Sequence, residues 1–464
     1  IGSLIRKSGD YAVISDVYKG FPADLAGFKT GDLIIEIDGK TTKGMAITKI
    51  SDLLKGRPNS NIRITVRRFG VDDPIQKTLT RERIQIKSVP YYGMMDQNIG
   101  YIRLSNFTQN AGKEVRKAVL DLKESHNLSG LILDLRGNPG GLLIEAVEVV
   151  NLFVEKNHEV VSTRGKVKDF DHTYFASKDP VDVTIPLTVL VSRTSASASE
   201  IVAGAIQDLD RGIIVGERTY GKGLVQTTRP LSYNSQLKLT TAKYYIPSGR
   251  CIQALDFSNR NEDGSVGHIP DSLISEYTTK NGRKVYDGGG IVPDVTIRNE
   301  KLSQISLELY RQFCLFDYAT KFSSEHERIA VPNEFELTEA DFRDFAEYIV
   351  NMDFKYQTQT EEALKKLEDV AKLEQYYEKA KKEFIILKEK LGQNTHKDME
   401  SHKEEIIALL TEEIVGRYYY QEGSIQVSIA SDKQVMKAFE IIVNPDIYSI
   451  LLRTDPSEIL AEIE

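Results

Sequence analysis

Three serines alternate with alanines at Ser195, Ser197 and Ser199, and further along a single lysine stands between glycines as Gly221, Lys222, Gly223. A hydroxyl and an amine in one compact stretch suggest nucleophilic acyl chemistry, with serine attacking a carbonyl and lysine taking its proton. Pro186 to Val191 is an apolar run of strand length that leads into the small residues. Ile201, Val202, Ala205 and Ile206 then give the spacing of a helix packed on one face. A nucleophile on such a strand-to-helix turn stands exposed at a sheet's end, beside unpaired amides that suit an oxyanion. Ile213, Ile214 and Val215 form a second short strand before Lys222, whose flanking glycines allow close backbone approach. The same residues also have ordinary readings. Ser197 with Glu200 fits an S-x-x-E capping box, and a lysine in a glycine loop is usually solvated.

Serine needs a neutral base near the working pH, whereas lysine at its ordinary pKa of ~10.4 is protonated. Burial disfavours the charged form, so a desolvated Lys222 is expected to act as that base. None of the seven histidines (His126, His158, His172, His268, His326, His396 and His402) lies between Ser197 and Gln226, which makes a serine–lysine scheme the simpler one. The segment from Ser192 to Gln226 resembles, almost position by position, the core of the carboxy-terminal processing peptidases, the tail-specific serine peptidases of the S41 type. That resemblance implies Ser197 as nucleophile, Lys222 as general base and Gln226 as the residue orienting the lysine, with Ser195 and Ser199 as weaker candidates for the nucleophile. In a regular strand, four residues span ~13 Å, so the GKGLVQ segment must bend if Gln226 is to reach Lys222.

Upstream, the apolar run Leu131 to Leu135 ends in Arg136, Gly137, Asn138, Pro139, Gly140 and Gly141, by itself a strand-to-helix turn. The S41 resemblance implies that Gly140 and Gly141 contribute amides to an oxyanion hole, with the amide of Ala198 as the other donor. In the first eighty-odd residues, PADLAGFKTGDLIIEIDG precedes an amphipathic stretch from Met45 to Leu54, and Ile62, Ile64 and Val66 alternate as a half-buried strand. This part resembles a PDZ domain, which adds a peptide's C-terminus to a sheet edge and holds its carboxylate on backbone amides. The resemblance places the capturing loop at Gly2, Ser3 and Leu4. The side-chain pocket is expected to draw on Leu4, Ile5, Ile50 and Leu54, so the expected partners are proteins or peptides with free apolar C-terminal tails. Because the chain begins at Ile1 within that loop motif, an upstream signal or anchor is expected. The corresponding location is the bacterial periplasm or cell envelope.

At 464 residues with 41% hydrophobic content, the chain is large enough for several folded cores. A net charge of −8 argues against a nucleic-acid binder, and no apolar run approaches the ~18 residues of a membrane span. Cys251 and Cys314 lack metal-ligand spacing, leaving a disulfide or two buried thiols. The expected organisation is multidomain α/β and α+β. A PDZ domain occupies residues 1–86, a peptidase core of the crotonase-like α/β kind implied by the resemblance occupies 87–300, and a mainly helical region occupies 301–464. Asn261 to Asp287 reads as a long surface insertion, and the Y-x-x-P-S-G-R and G-G-I-x-P-D elements match the family in a structural role. Leu373, Tyr377, Ala380, Phe384, Leu387 and Leu391 recur at spacings of four and three, which predicts a long helix, packed on its own domain or serving as a dimerising arm for a homo-oligomer. The reading is a serine endopeptidase that needs no metal or cofactor. The alternatives are a non-catalytic tail- or ligand-binding protein of the same fold, against which Ser197, Lys222 and Gln226 together argue, and a crotonase-type acyl-transfer enzyme, which leaves the PDZ unit unexplained.

Overall fold

The computed structural model describes residues 1–464 except 126, 300, 353, 392–393 and 454–464. His126 and the end of the expected helical region therefore lie outside the described residues. The chain folds as two compact units, residues 1–85 with 301–428, and residues 86–299 with 429–453. This grouping differs from the three sequential domains expected. The helix Lys433–Val443, placed in the helical region by its sequence, packs on strands of the second unit's central sheet. Val435, Ala438, Ile441 and Ile442 supply its buried face.

In the first unit, alternating apolar residues build an antiparallel sheet in the order Ser3–Ser8, Tyr11–Val17, Leu33–Ile37, Asn61–Arg67, Ile75–Thr80. Ile62, Ile64 and Val66 face its core, with Ile50 and Leu54 of the helix Ile47–Leu54 packed on them. Ser3–Ser8 is an edge strand. From this strand the Arg6 guanidinium reaches the helical part of the unit, lying 3.5 Å from the Phe313 ring centre and 4.3 Å from that of Phe316, with Asp317 at 3.6 Å. The predicted long heptad helix is interrupted. The helix Gln359–Leu373 stops where Gln375 takes a φ of 63° and the Tyr376 amide bonds back to the Ala371 carbonyl at 2.8 Å. A second helix, Lys381–Leu391, then folds back so that Phe384 packs with Leu364 and Ala371. The two spacings fit because Tyr377, Ala380 and Phe384 cluster at the bend of a hairpin, and no continuous seam is required.

The second unit is built on a sheet ordered Val295–Thr296, Ile213–Gly216, Leu187–Val191, Gly130–Asp134, Ile99–Arg103, Tyr91–Met94. Its strands are parallel except Tyr91–Met94. Continuous apolar runs suit a parallel sheet covered on both faces, and Gly130–Asp134 and Leu187–Val191 are buried throughout. An antiparallel sheet, His172–Phe175, Glu159–Gly165, Gln236–Tyr245, Leu224–Pro230, carries the segment after Lys222 at its edge. The expected insertion from Asn261 to Asp287 contains parts of two short hairpins, Leu255–Arg260 with Val266–His268, and Glu276–Thr278 with Lys284–Tyr286. Cys251 and Cys314 are free thiols.

Candidate active site

The strand Leu187–Val191 delivers the serine run to the N-terminus of the helix Ala198–Asp208. Ser197 sits at the helix cap with φ 57° and ψ −114°, a conformation L-residues rarely adopt and one typical of strained functional turns. Its neighbours are committed elsewhere. The Ser195 hydroxyl accepts from the Ser192 amide at 2.9 Å and donates to the Leu135 carbonyl at 2.8 Å, while the Ser199 hydroxyl donates to the Asn138 carbonyl at 3.0 Å. Both are fully buried, whereas Ser197 is partly exposed. Of the three serines, Ser197 is the one open to solvent.

Glu200 ties this turn to the lysine loop. Its fully buried carboxylate accepts the Ser197 amide at 2.8 Å and the Lys222 amide at 2.8 Å on one oxygen. The other oxygen accepts the Thr219 hydroxyl at 2.6 Å and the Gly221 amide at 2.7 Å. Burial pushes the carboxyl above its usual range, and the four donors pull against that shift. Tyr244, also buried, donates to the carbonyls of Ser197, at 3.2 Å, and Lys222. Burial raises its phenol well above the ordinary value, which keeps it a donor. The capping-box reading of Ser197 and Glu200 is thus partly realised and compatible with a catalytic role. The sequence carried signals for both residues, the S-x-x-E spacing and the Y-x-x-P-S-G-R element, but neither shows that they join two loops distant in sequence.

The backbone of Lys222 is held on both sides. The Ala254 amide reaches the Gly221 carbonyl at 2.9 Å, and the Gly223 amide donates to Gln253 Oε1 at 2.8 Å. A Cβ at Gly221, where φ is 84°, would lie 2.3 Å from Ala254 Cβ, so glycine is required there. The lysine side chain itself is exposed, contrary to the expected burial. A bulge between Val225 and Gln226 supplies the bend that the GKGLVQ segment needed. Lys222 and Gln226 wall the same cavity of about 430 Å³ together with Pro139, Ala196, Leu255 and Phe257. Among the described residues, no hydrogen bond joins Lys222 to Gln226 or Ser197; Lys222 and Gln226 share the cleft, and Ser197 follows its wall residue Ala196 in the chain.

The Asp134–Gly141 loop meets the serine turn through Asn138. Its buried side chain donates to the Leu104 carbonyl and accepts the Gly140 amide, both at 2.8 Å, while its carbonyl accepts the Ala196 amide at 3.0 Å. The amide of Gly140, expected in the oxyanion hole, is therefore given to Asn138. Those of Gly141 and Ala198 donate to no other described residue. Gly140 still packs against Ser197, because a Cβ at this φ of 98° would lie 2.8 Å from Ser197 Cβ and 2.9 Å from the Ala198 nitrogen. Beneath the loop, buried Asp134 pairs with Arg136 at 2.7 Å and Arg103 at 2.6 Å and accepts the Tyr101 hydroxyl at 2.7 Å. These partners hold its carboxyl down to about 2 despite burial. Arg136 also reaches Asp432 at 2.6 Å and Gln434 at 3.0 Å, at the start of the helix Lys433–Val443. Among the described residues, no group of three or more His, Cys, Asp or Glu is arranged to hold a metal ion.

In the other unit, Ser3, Leu4 and Ile5 lie on the edge strand and Gly2 just precedes it, with its carbonyl accepting the Tyr18 amide at 3.0 Å. Leu4 is exposed, Ile5 half-buried, and Ile50 and Leu54 are buried in the core of this sheet domain.

Residues 98–259, which include the serine and lysine loops, match peptidase family S41. Residues 13–68 match the PDZ domain, and 305–442 match the family described as "Probable PDZ-protease, C-terminal helical domain". The chain thus carries a peptidase S41 domain, a PDZ domain and that helical domain. It is similar to proteins named for carboxy-terminal processing. The carboxy-terminal-processing protease of Bartonella bacilliformis is 42% identical over 258 residues, covering 55% of this chain and 56% of that protein. The carboxy-terminal processing protease CtpA of Bacillus subtilis is 36% identical, covering 54% and 53%. A solved structure of a photosystem II D1 C-terminal processing protease is 30% identical, covers 65% of this chain and 73% of that one, and superposes with a TM-score of 0.36. The chain spans about half the length of the curated relatives it matches.

Proposed function

We propose that the protein is a serine endopeptidase that selects substrates by a free apolar C-terminal tail, with Ser197 as nucleophile, Lys222 as base and Gln226 as its orienting partner. The observation that carries this reading is the buried Glu200 carboxylate, which fixes the amides of Ser197 and Lys222 at 2.8 Å each and so ties both members of the dyad to one point. Substrate entering the 430 Å³ cavity displaces water from around Lys222. The amides of Gly141 and Ala198 are the donors left for a tetrahedral oxyanion. Leu224–Pro230, at the edge of its sheet, offers unpaired backbone groups to an extended substrate beside Lys222.

Tail capture belongs to the edge strand Ser3–Ser8 of the PDZ domain and the Gly2–Leu4 backbone before and within it. Export to the bacterial periplasm or envelope, and a homo-oligomer formed through the helical region, are further parts of the proposal. The test is incubation with one unfolded substrate carrying an apolar free-acid tail, the same tail amidated, or a charged tail, with the cuts mapped by mass spectrometry. Faster cleavage of the apolar free acid is expected. Equal rates for all three would refute tail selection, and no cleavage of any would refute the peptidase and favour a binding protein of the same fold.

A further inference from the structure

Next to the cleft lies a larger cavity of about 680 Å³, and the two share Tyr220 and Leu255 as walls. Arg193, Arg218, Arg298 and His268 line it, against one acidic side chain, Glu217. Arg193 Nε is paired with Glu217 at 2.9 Å. Arg218 and Arg298 are exposed, and among the described residues neither pairs with a carboxylate. A concave wall with two unmatched guanidiniums, in a chain of net charge −8, is a local reversal of sign that attracts anions. Guanidinium recognises carboxylate through paired N–H donors, the strongest hydrogen bonds available to a peptide side chain.

The position of the arginines fixes what kind of carboxylate arrives. Arg193 precedes Ser197 by four residues and Arg218 precedes Lys222 by four, so neither backbone is more than about 15 Å from the residue it precedes. The Arg218 segment is also held firmly. The Thr219 hydroxyl bonds to Glu200 at 2.6 Å, and the Tyr220 amide reaches the Ser195 carbonyl at 3.0 Å. A polypeptide lying in the cleft therefore passes the arginine cavity within a few residues of its reacting bond. We infer that this cavity is a subsite for an aspartate or glutamate side chain of the substrate, so that cleavage sites flanked by an acidic residue are preferred. This inference rests on the peptidase reading above.

The test uses the full chain carrying Ser197→Ala and labelled, C-terminally amidated peptides in which a single Glu walks through an otherwise neutral sequence, each with its Gln counterpart. Binding is read by fluorescence anisotropy. Glu at one or two adjacent positions is expected to tighten binding by about tenfold over Gln, with the advantage shrinking in about 0.5 M salt. Adding Arg218→Gln with Arg298→Gln should abolish the advantage and leave the Gln peptides unaffected, whereas Arg218→Lys with Arg298→Lys should keep part of it. Equal binding of Glu and Gln peptides at every position would overturn the subsite. So would a preference that survives the double Gln variant, or one that appears only with a free C-terminus, which would assign the anion to a terminal carboxylate. Since binding is read without turnover, a protein that binds the Glu peptides selectively but cuts nothing would separate failure of the peptidase reading from failure of the subsite.

Discussion

Two carboxylate oxygens can accept four donors, and Glu200 does so with three amides and one hydroxyl drawn from both sides of the candidate dyad. Glu200→Gln keeps the shape and replaces one acceptor oxygen with an NH₂ group. The oxygen facing Ser197 and Lys222 meets two amide donors, so the NH₂ must turn toward Thr219, whose hydroxyl can accept, and the Gly221 amide is left unsatisfied. A buried unsatisfied amide costs about 1–3 kcal/mol, and loosening of the lysine loop should lower kcat more than KM. Thermal unfolding with steady-state kinetics checks both, and an unchanged kcat would show that Glu200 acts only as a helix cap. At this scale the sequence was most legible in Ser197 and Lys222, because the S-A-S-A-S and G-K-G patterns are local. The exposure of Lys222 was not legible, since it depends on what surrounds the loop.

The strand-to-helix turns carry the site, and their contact is tight enough to be probed by one methyl group. Gly140→Ala would place Cβ 2.5 Å from the Ala196 carbonyl oxygen and 2.8 Å from Ser197 Cβ, at a φ of 98° that alanine resists. The serine turn must then shift, and a displacement of about 1 Å at reacting groups can cost about 10²-fold in rate. A fall in kcat of that order, measured on the substrate cleaved by the wild type, is expected with a lowered Tm. Wild-type turnover would mean that the Gly140 loop is not seated against the nucleophile. Elements with a clear period were readable in advance. Leu187–Val191, Ile213–Gly216 and Gln236–Tyr245 stand where the apolar runs and alternation put them. The heptad was misleading because spacings of four and three also suit a hairpin whose apolar residues meet at its bend, and the left-handed Gln375 that ends the first helix carries no distinctive sequence mark.

At the scale of the whole molecule, Asp134, Arg136 and Asp432 connect the central strand, the active-site loop and the helix Lys433–Val443. That long-range closure was illegible because it joins residues nearly three hundred positions apart, each of which reads as an ordinary charge in its own segment. It also has a pH signature. The Asp134 carboxyl is held at about 2, below its ordinary value of 3.8, so its charged form stabilises the fold above that ordinary value and the contribution is lost as pH falls toward 2. The difference corresponds to on the order of 2 kcal/mol. Asp134→Asn should cost about 3–5 kcal/mol at neutral pH by removing the charge that pairs with Arg103 and one of the two that pair with Arg136, and its stability should fall less steeply than the wild type's between pH 5 and 2. Parallel urea-midpoint curves for the two proteins would contradict this.

The most direct measurement of the central claim compares hydrolysis of one unfolded protein substrate by the wild type and the Ser197→Ala, Ser195→Ala and Lys222→Ala variants, with Tm recorded for each. The account predicts that Ser197→Ala and Lys222→Ala show no detectable cleavage at near wild-type Tm. Ser195→Ala should lose stability through its two buried hydrogen bonds yet still cleave within about tenfold of wild type. Activity within about tenfold of wild type in Ser197→Ala or Lys222→Ala, or a folded Ser195→Ala that is inactive beside an active Ser197→Ala, would contradict it.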